Sequence, residues 1–145
     1  MSYVNADQVA ESSGLHVEEV QDPGFTDYES AVKFQLAGKA GEFQISGVVF
    51  SGPHPRITRL NDFVCEIEPK GTILVTTNED CPGMIGIIGT CLGENQVNID
   101  QFELFRTSRG GEAMAMIRVD DGVLGRVLED LRTRPGITSV RKVVL

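Results

Sequence analysis

The chain has 145 residues, room for one ordinary domain or two small ones, and its 41% apolar and 23% charged residues are the balance of a soluble globular protein. A formal net charge of -8 argues against a nucleic-acid partner, which would need a basic face. It leaves room for a small, local anion site.

The chain opens Met-Ser-Tyr-Val-Asn-Ala, without a basic-then-apolar leader. Residues 6–12 fit a short helix, with Asn5 as N-cap and Gly14 near the C-cap. Residues 15–20 read as a strand, and Asp22-Pro23-Gly24 as a turn. Residues 28–36 and 42–50 look like strands joined by Gly38-Lys39-Ala40-Gly41. Residues 56–60 and 63–67 form another pair, turned at Asn61-Asp62. This half is mostly antiparallel β, and Pro69-Lys70-Gly71 divides it, as residues 1–70, from residues 71–145.

The second half is more regular. Residues 72–77 alternate as a strand, and Pro82 falls at a helix start, where its missing N–H costs nothing. Ile85, Ile88 and Leu92 then share one helical face, with Met84, Ile87 and Cys91 beside it. The helix stops near Glu94-Asn95. Residues 97–107 form a strand, Ser108-Arg109-Gly110-Gly111 a hairpin turn, and residues 112–119 the returning strand. Asp120-Asp121-Gly122 precedes a second helix with apolar Leu124, Val127, Leu128 and Leu131. Pro135-Gly136 breaks it, and residues 137–145 form a last strand. The fold class is α+β: a ferredoxin-like βαββαβ unit behind a mostly antiparallel β domain with a short helix. Two helices on one face of the sheet leave its other face open, or available to a partner.

The strand-to-helix turn Asn78-Glu79-Asp80-Cys81-Pro82-Gly83 holds the richest chemistry. Free backbone N–H groups at a helix N-terminus suit a small anion such as a carboxylate, and Asp80 beside them suits an ammonium. A ligand with both groups is an amino acid. Asp80 as a helix-capping acid is the plainer alternative. Asn98 starts the next strand, and the helix with its return turn is expected to bring it to the same end of the sheet, converging with Asn78 and Asp80. A turn residue is the plainer reading of Asn98. Gly83, Gly86 and Gly89 are spaced GxxGxxG, not as a nucleotide loop, and point to close approach of the helix to a neighbouring backbone, a second subunit included. Arg56, Arg59 and Arg118 are candidates for an anion site, against an ion-paired strand face. Arg106 and Arg109 lie near the hairpin and read as exposed. Cys81 at a helix N-terminus would be acidified, but it has no His partner for catalysis.

Cys65, Cys81 and Cys91 form no CxxC pair, which suggests reduced thiols in a cytoplasm. His16 and His54 lack zinc spacing, and the longest apolar run, 83–92, is too short to cross a membrane. There is no acid–base pair, triad or metal cluster. A binding or regulatory module fits better than an enzyme.

The segments NEDCPGMIGIIGTCLGENQVNID and RTSRGGEAMAMIRVD, within residues 72–145, resemble the amino-acid-binding ACT domain at the C-terminus of D-3-phosphoglycerate dehydrogenase. Upstream, YVNADQVAESSGLHVEEV and ISGVVFSGPHPRITRLNDFVCEIEP look like the second part of the intervening domain in the long bacterial form. The family oxidises 3-phosphoglycerate with NAD in the first committed step of serine synthesis. The resemblance therefore implies a regulatory portion, with no cofactor of its own and NAD in catalytic domains outside this chain. It implies a homodimer or tetramer through ACT domains, with L-serine bound between them as feedback inhibitor. The family's ligand positions fall on Asn78, Asp80, the loop Cys81-Pro82-Gly83, and Asn98 from the neighbouring subunit. Arg56 and Arg118 match basic positions of an intervening-domain anion site; Glu68 stands where another basic residue would be. The alternatives are the regulatory domains of the iron–sulfur L-serine dehydratase β part, and an ACT module that dimerises without a ligand.

Overall fold

The computed structural model describes residues 6–18, 20, 30–39, 41–50, 54–120 and 125–145. Helix α1 spans Ala6–Ser12. It ends in a Schellman turn, because Gly14 adopts φ 78° while its N–H donates to the Glu11 carbonyl and that of Leu15 to Ala10. The strand expected over residues 15–20 is not formed: residues 15–18 and 20 run as exposed coil. A strand needs a ladder partner to satisfy its backbone, and alternation alone does not provide one. The expected Asn5 cap and the Asp22-Pro23-Gly24 turn lie outside the described residues.

Four strands then form an antiparallel meander: β1 (Ser30–Gly38), β2 (Gly41–Phe50), β3 (His54–Leu60) and β4 (Phe63–Ile67), in the order β1-β2-β3-β4. The tight turn between β3 and β4 is fixed by Asn61. Its backbone has φ 50°, its N–H donates to the Gln44 carbonyl, and its Oδ1 accepts from the Gln44 N–H at 3.0 Å. Residues 68–71 lead into the second sheet.

That sheet contains β5 (Thr72–Glu79), β6 (Ile99–Arg106), β7 (Glu112–Val119) and β8 (Ile137–Val144), in the order β6-β7-β5-β8. Helix α2 (Met84–Glu94) links β5 to β6, and α3 (Gly125–Thr133) links β7 to β8. All pairings are antiparallel, so β7 slots between β5 and β6. The expected α+β class and βαββαβ order hold.

Strand periodicity sends alternate residues to opposite faces. Leu74, Ala115, Ile117, Val119 and Val140 meet Ile88, Cys91 and Leu92 of α2 and Val127 and Leu131 of α3. The buried stripe of α2 is Met84, Ile88, Cys91 and Leu92. Ile85, expected on that face, is turned to solvent, because a step of one residue rotates a side chain about 100° around the axis. Gly86, Gly89 and Gly93 lie outside the buried stripe, and a Cβ built on any of them would meet nothing within 4 Å. At these glycines the helix therefore makes no close approach to a neighbouring backbone among the described residues.

The opposite face of this sheet is not left open. Ile73, Met114 and Met116, with half-buried Val75 and Phe105, pack against Phe63, Cys65 and Ile67 of β4 and Ile57 and Leu60 of β3. The first sheet is the partner. Its apolar face continues past this contact onto β1 and β2, where Val32, Phe34, Leu36 and Phe43 are exposed.

Candidate functional site

The βαβ connection decides which residues meet. β5 ends at Glu79, α2 runs back along the sheet, and β6 therefore starts at the end of the sheet where β5 begins. The register makes this explicit. Asn78 faces Ala113, whereas Ile99 faces Val119, which itself faces Thr72. Asn98 thus sits at the opposite end of the sheet from Asn78 and Asp80, about 20 Å away along a strand of this length. Its Nδ2 donates to Asp120 at 3.1 Å, and its carbonyl accepts from the Asp120 N–H. The expected convergence within one chain is wrong: a helix that returns antiparallel to its strand deposits the next residue at the strand's start.

What does join Asp80 is the β6–β7 hairpin, which lies at its end of the sheet. The Asp80 carboxylate accepts the Gly110 N–H at 2.8 Å, and Arg106 at the end of β6 stands 3.5 Å from the same oxygen. The Asp80 backbone N–H donates to the Gly111 carbonyl, tying strand end and hairpin together. The Asp80 side chain is only 16% exposed, that of Arg106 61%. The Gly110 N–H, then Arg106, with Arg109 nearby, hold the Asp80 carboxyl below the usual carboxylate range. Two arginines that read as merely exposed are thus the electrostatic surroundings of Asp80. The signal that locates them is topological: a hairpin after a βα unit returns to the end where the first strand stopped.

Asp80 does not cap α2. The N-cap is Gly83, at φ 96°, ψ -12°, with no side-chain cap, and the helix begins at Met84, two residues after Pro82. The sharp turn through Cys81, Pro82 and Gly83 needs that left-handed residue, which glycine adopts at little cost. The first intrahelical bond runs from the Ile87 N–H to the Gly83 carbonyl, so the amides of Met84, Ile85 and Gly86 precede the helical ladder. Cys81 is an exposed free thiol whose own N–H donates to the Glu79 carbonyl.

Asn78 lies on the helix-facing side of β5 and is buried. Its Nδ2 donates to the Glu79 carbonyl at 2.7 Å, while its Oδ1 is buried without a hydrogen-bond partner. An unpaired buried acceptor costs about 1–3 kcal/mol.

Arg56 and Arg118 belong to the far end. Arg118 is ion-paired with Asp100 through Nε, and its Nη1 lies 3.8 Å from Glu68. Glu68 also pairs with Lys70 at 2.6 Å, and Lys70, then Arg56 and Arg118, depress its pKa. The structure therefore brings Arg56 and Arg118 to one place, already occupied by the chain's own carboxylate. Arg118, Lys70, Asp100 and Asp120 line an open depression of about 530 Å³. Among the described residues no cluster of His, Cys, Asp and Glu can hold a metal ion, and no helix is long and apolar enough to cross a membrane.

Residues 1–61 match the D-3-phosphoglycerate dehydrogenase intervening domain. The chain is 31% identical to D-3-phosphoglycerate dehydrogenase of Synechocystis sp., covering 100% of this chain and 26% of that protein. It is 28% identical to the Bacillus subtilis enzyme of the same name, over 98% of this chain and 27% of that one. A probable L-serine dehydratase beta chain of Bacillus subtilis is 25% identical over 94% of this chain and 62% of its own length. The chain spans about a quarter of the dehydrogenases it matches.

Proposed function

We propose that this chain, which resembles the intervening and C-terminal region of D-3-phosphoglycerate dehydrogenases along its whole length, is the amino-acid-sensing regulatory part of such an enzyme. Oxidation of 3-phosphoglycerate with NAD is then the work of domains outside this chain. The ligand is L-serine, the inhibiting end product in the family it resembles. A sequence shared with an L-serine dehydratase chain supports the same ligand, since that relative's name also carries serine.

The observation that carries the reading is the end of β5. A shielded carboxylate at Asp80 stands in the chain between Asn78, whose Oδ1 is buried and unpaired, and the amides of Met84 to Gly86 that precede the helical ladder. Asp80 takes the ammonium, and the helix N-terminus receives the carboxylate. Cys81, Pro82 and Gly83 form the wall between them.

Asn98 enters through a second copy. β6 is an edge strand of its sheet. Two copies joined antiparallel along β6 bring one chain's Asn98 beside the other's Arg106 and hairpin, the end that holds Asp80. Serine bound there touches both chains, and its binding energy is available to change how they sit against each other, which is what feedback requires. Arg56 and Arg118 are a second candidate anion site, at which a phosphate would have to displace Glu68.

Isothermal titration of the chain with L-serine, against glycine and L-alanine, tests the reading. Serine binding in the micromolar-to-millimolar range that disappears in Asp80→Ala is the expected result. Equal affinity in a folded Asp80→Ala variant would remove the assignment.

A further inference from the structure

Arg106 is the one cation in contact with Asp80 among the described residues, and nothing in its sequence neighbourhood singles it out. It closes an edge strand, its side chain is mostly in solvent, and Asp80 is the group it touches. At 3.5 Å the contact is looser than the 2.7–2.9 Å of a full charge-assisted bond. The Asp80 oxygen it faces is already engaged by the Gly110 N–H at 2.8 Å. A guanidinium has five N–H donors in a planar fork that matches a carboxylate. Only one of them is directed at Asp80, which leaves an outward-facing edge of the fork for another anion.

The result is a cation and an anion held side by side, one mostly exposed and one mostly shielded, at one end of a chain whose net charge is -8. A free α-amino acid carries the reverse pair on adjacent atoms. The ammonium is small enough to reach the shielded Asp80, and the carboxylate is left toward solvent, where Arg106 stands. Arg109 adds positive charge near Asp80. Peptides and amino-acid amides carry the ammonium but not the carboxylate, so such a pair selects free amino acids.

The geometry points to Arg106 as a specificity-determining residue of the amino-acid site, holding the ligand's α-carboxylate while Asp80 holds its ammonium. This rests on the amino-acid reading of the Asp80 end and adds to it a residue and a selection rule. The guanidinium supplies charge to the ligand's carboxylate, to which the helix amides that precede the ladder add their fixed dipoles.

The test pairs a ligand change with a residue change. L-Serine and L-serinamide, which lacks the carboxylate, are titrated into the full chain, into Arg106→Gln and into Arg106→Lys. Wild type is expected to prefer serine by tenfold or more, the scale of one charge-assisted bond to a carboxylate. Arg106→Gln is expected to lose that factor for serine alone, so that the two ligands bind alike, and Arg106→Lys to retain part of the preference. A purely structural role for Arg106, pinning the hairpin through Asp80, would weaken both ligands equally and keep their ratio. That result overturns the assignment of Arg106 while leaving the sensing reading intact. Unchanged serine affinity in Arg106→Gln does the same. No serine binding by the wild-type chain overturns both.

Discussion

At the scale of single residues, Asp80 shows how environment sets chemistry. Its pKa is depressed, first by the Gly110 N–H and then by Arg106. A carboxylate whose folded pKa lies below its unfolded value stabilises the fold fully above the unfolded pKa. That contribution is lost as pH falls through the folded one. Asp80 should therefore stay ionised to lower pH than exposed aspartates do, and carboxyl carbon NMR should place its midpoint below theirs. A midpoint at or above the ordinary aspartate value would contradict the Gly110 and Arg106 contacts. The cysteines divide in the same way. Cys65 is buried and its thiol is pushed up to about 11, first by desolvation and then by Glu103. Cys91 is buried and donates to Asp130 at 3.4 Å; desolvation first, and then this contact, raise its pKa. Cys81 is exposed. A thiol reagent at neutral pH should modify Cys81 rapidly, and the other two only after denaturation. Fast modification of Cys65 would mean that the two sheets separate readily.

Among elements, α2 sets the site's shape. Gly83 carries the left-handed turn that starts it, so Gly83→Ala should cost about 1 kcal/mol in urea denaturation. Gly86 is different: it lies inside the helix, has ordinary φ, and a Cβ there meets nothing within 4 Å. Gly86→Ala should stabilise the single chain by roughly 0.5–1 kcal/mol through helix propensity. Destabilisation that grows with protein concentration would instead mean that a second chain packs on Gly86. Most of these elements were legible beforehand. The strands and helices of the second half fall where hydrophobic period, Gly110-Gly111 and Pro135-Gly136 put them. The start of α2 was misread because a proline suits a helix N-terminus in general, whereas here Gly83 completes the turn.

On the scale of the whole molecule, the two sheets share a core. The face of the second sheet that meets β4 holds Met114 and Met116, both buried, and across from them Phe63, Cys65 and Ile67. Met116→Ala should cost about 2–4 kcal/mol, the usual cost of emptying a buried position. If the sheets unfold as one unit, circular dichroism and a probe on the first sheet should show coincident transitions. Two separate transitions would mean that the shared core does not couple them.

The sequence by itself determined the βαββαβ order, the meander that precedes it, and the chemistry of the turn from Asn78 to Gly83. Those features are written in local periodicity and in residues with special backbone freedom, which act within a few positions of themselves. The tertiary structure alone decided which distant residues share an end of the sheet. The direction of α2 carries Asn98 away from Asp80, while the β6–β7 hairpin brings Arg106 and Gly110 to it. It also decided that the sheet's second face is covered from within, because packing depends on how whole faces meet and no short stretch of sequence encodes that.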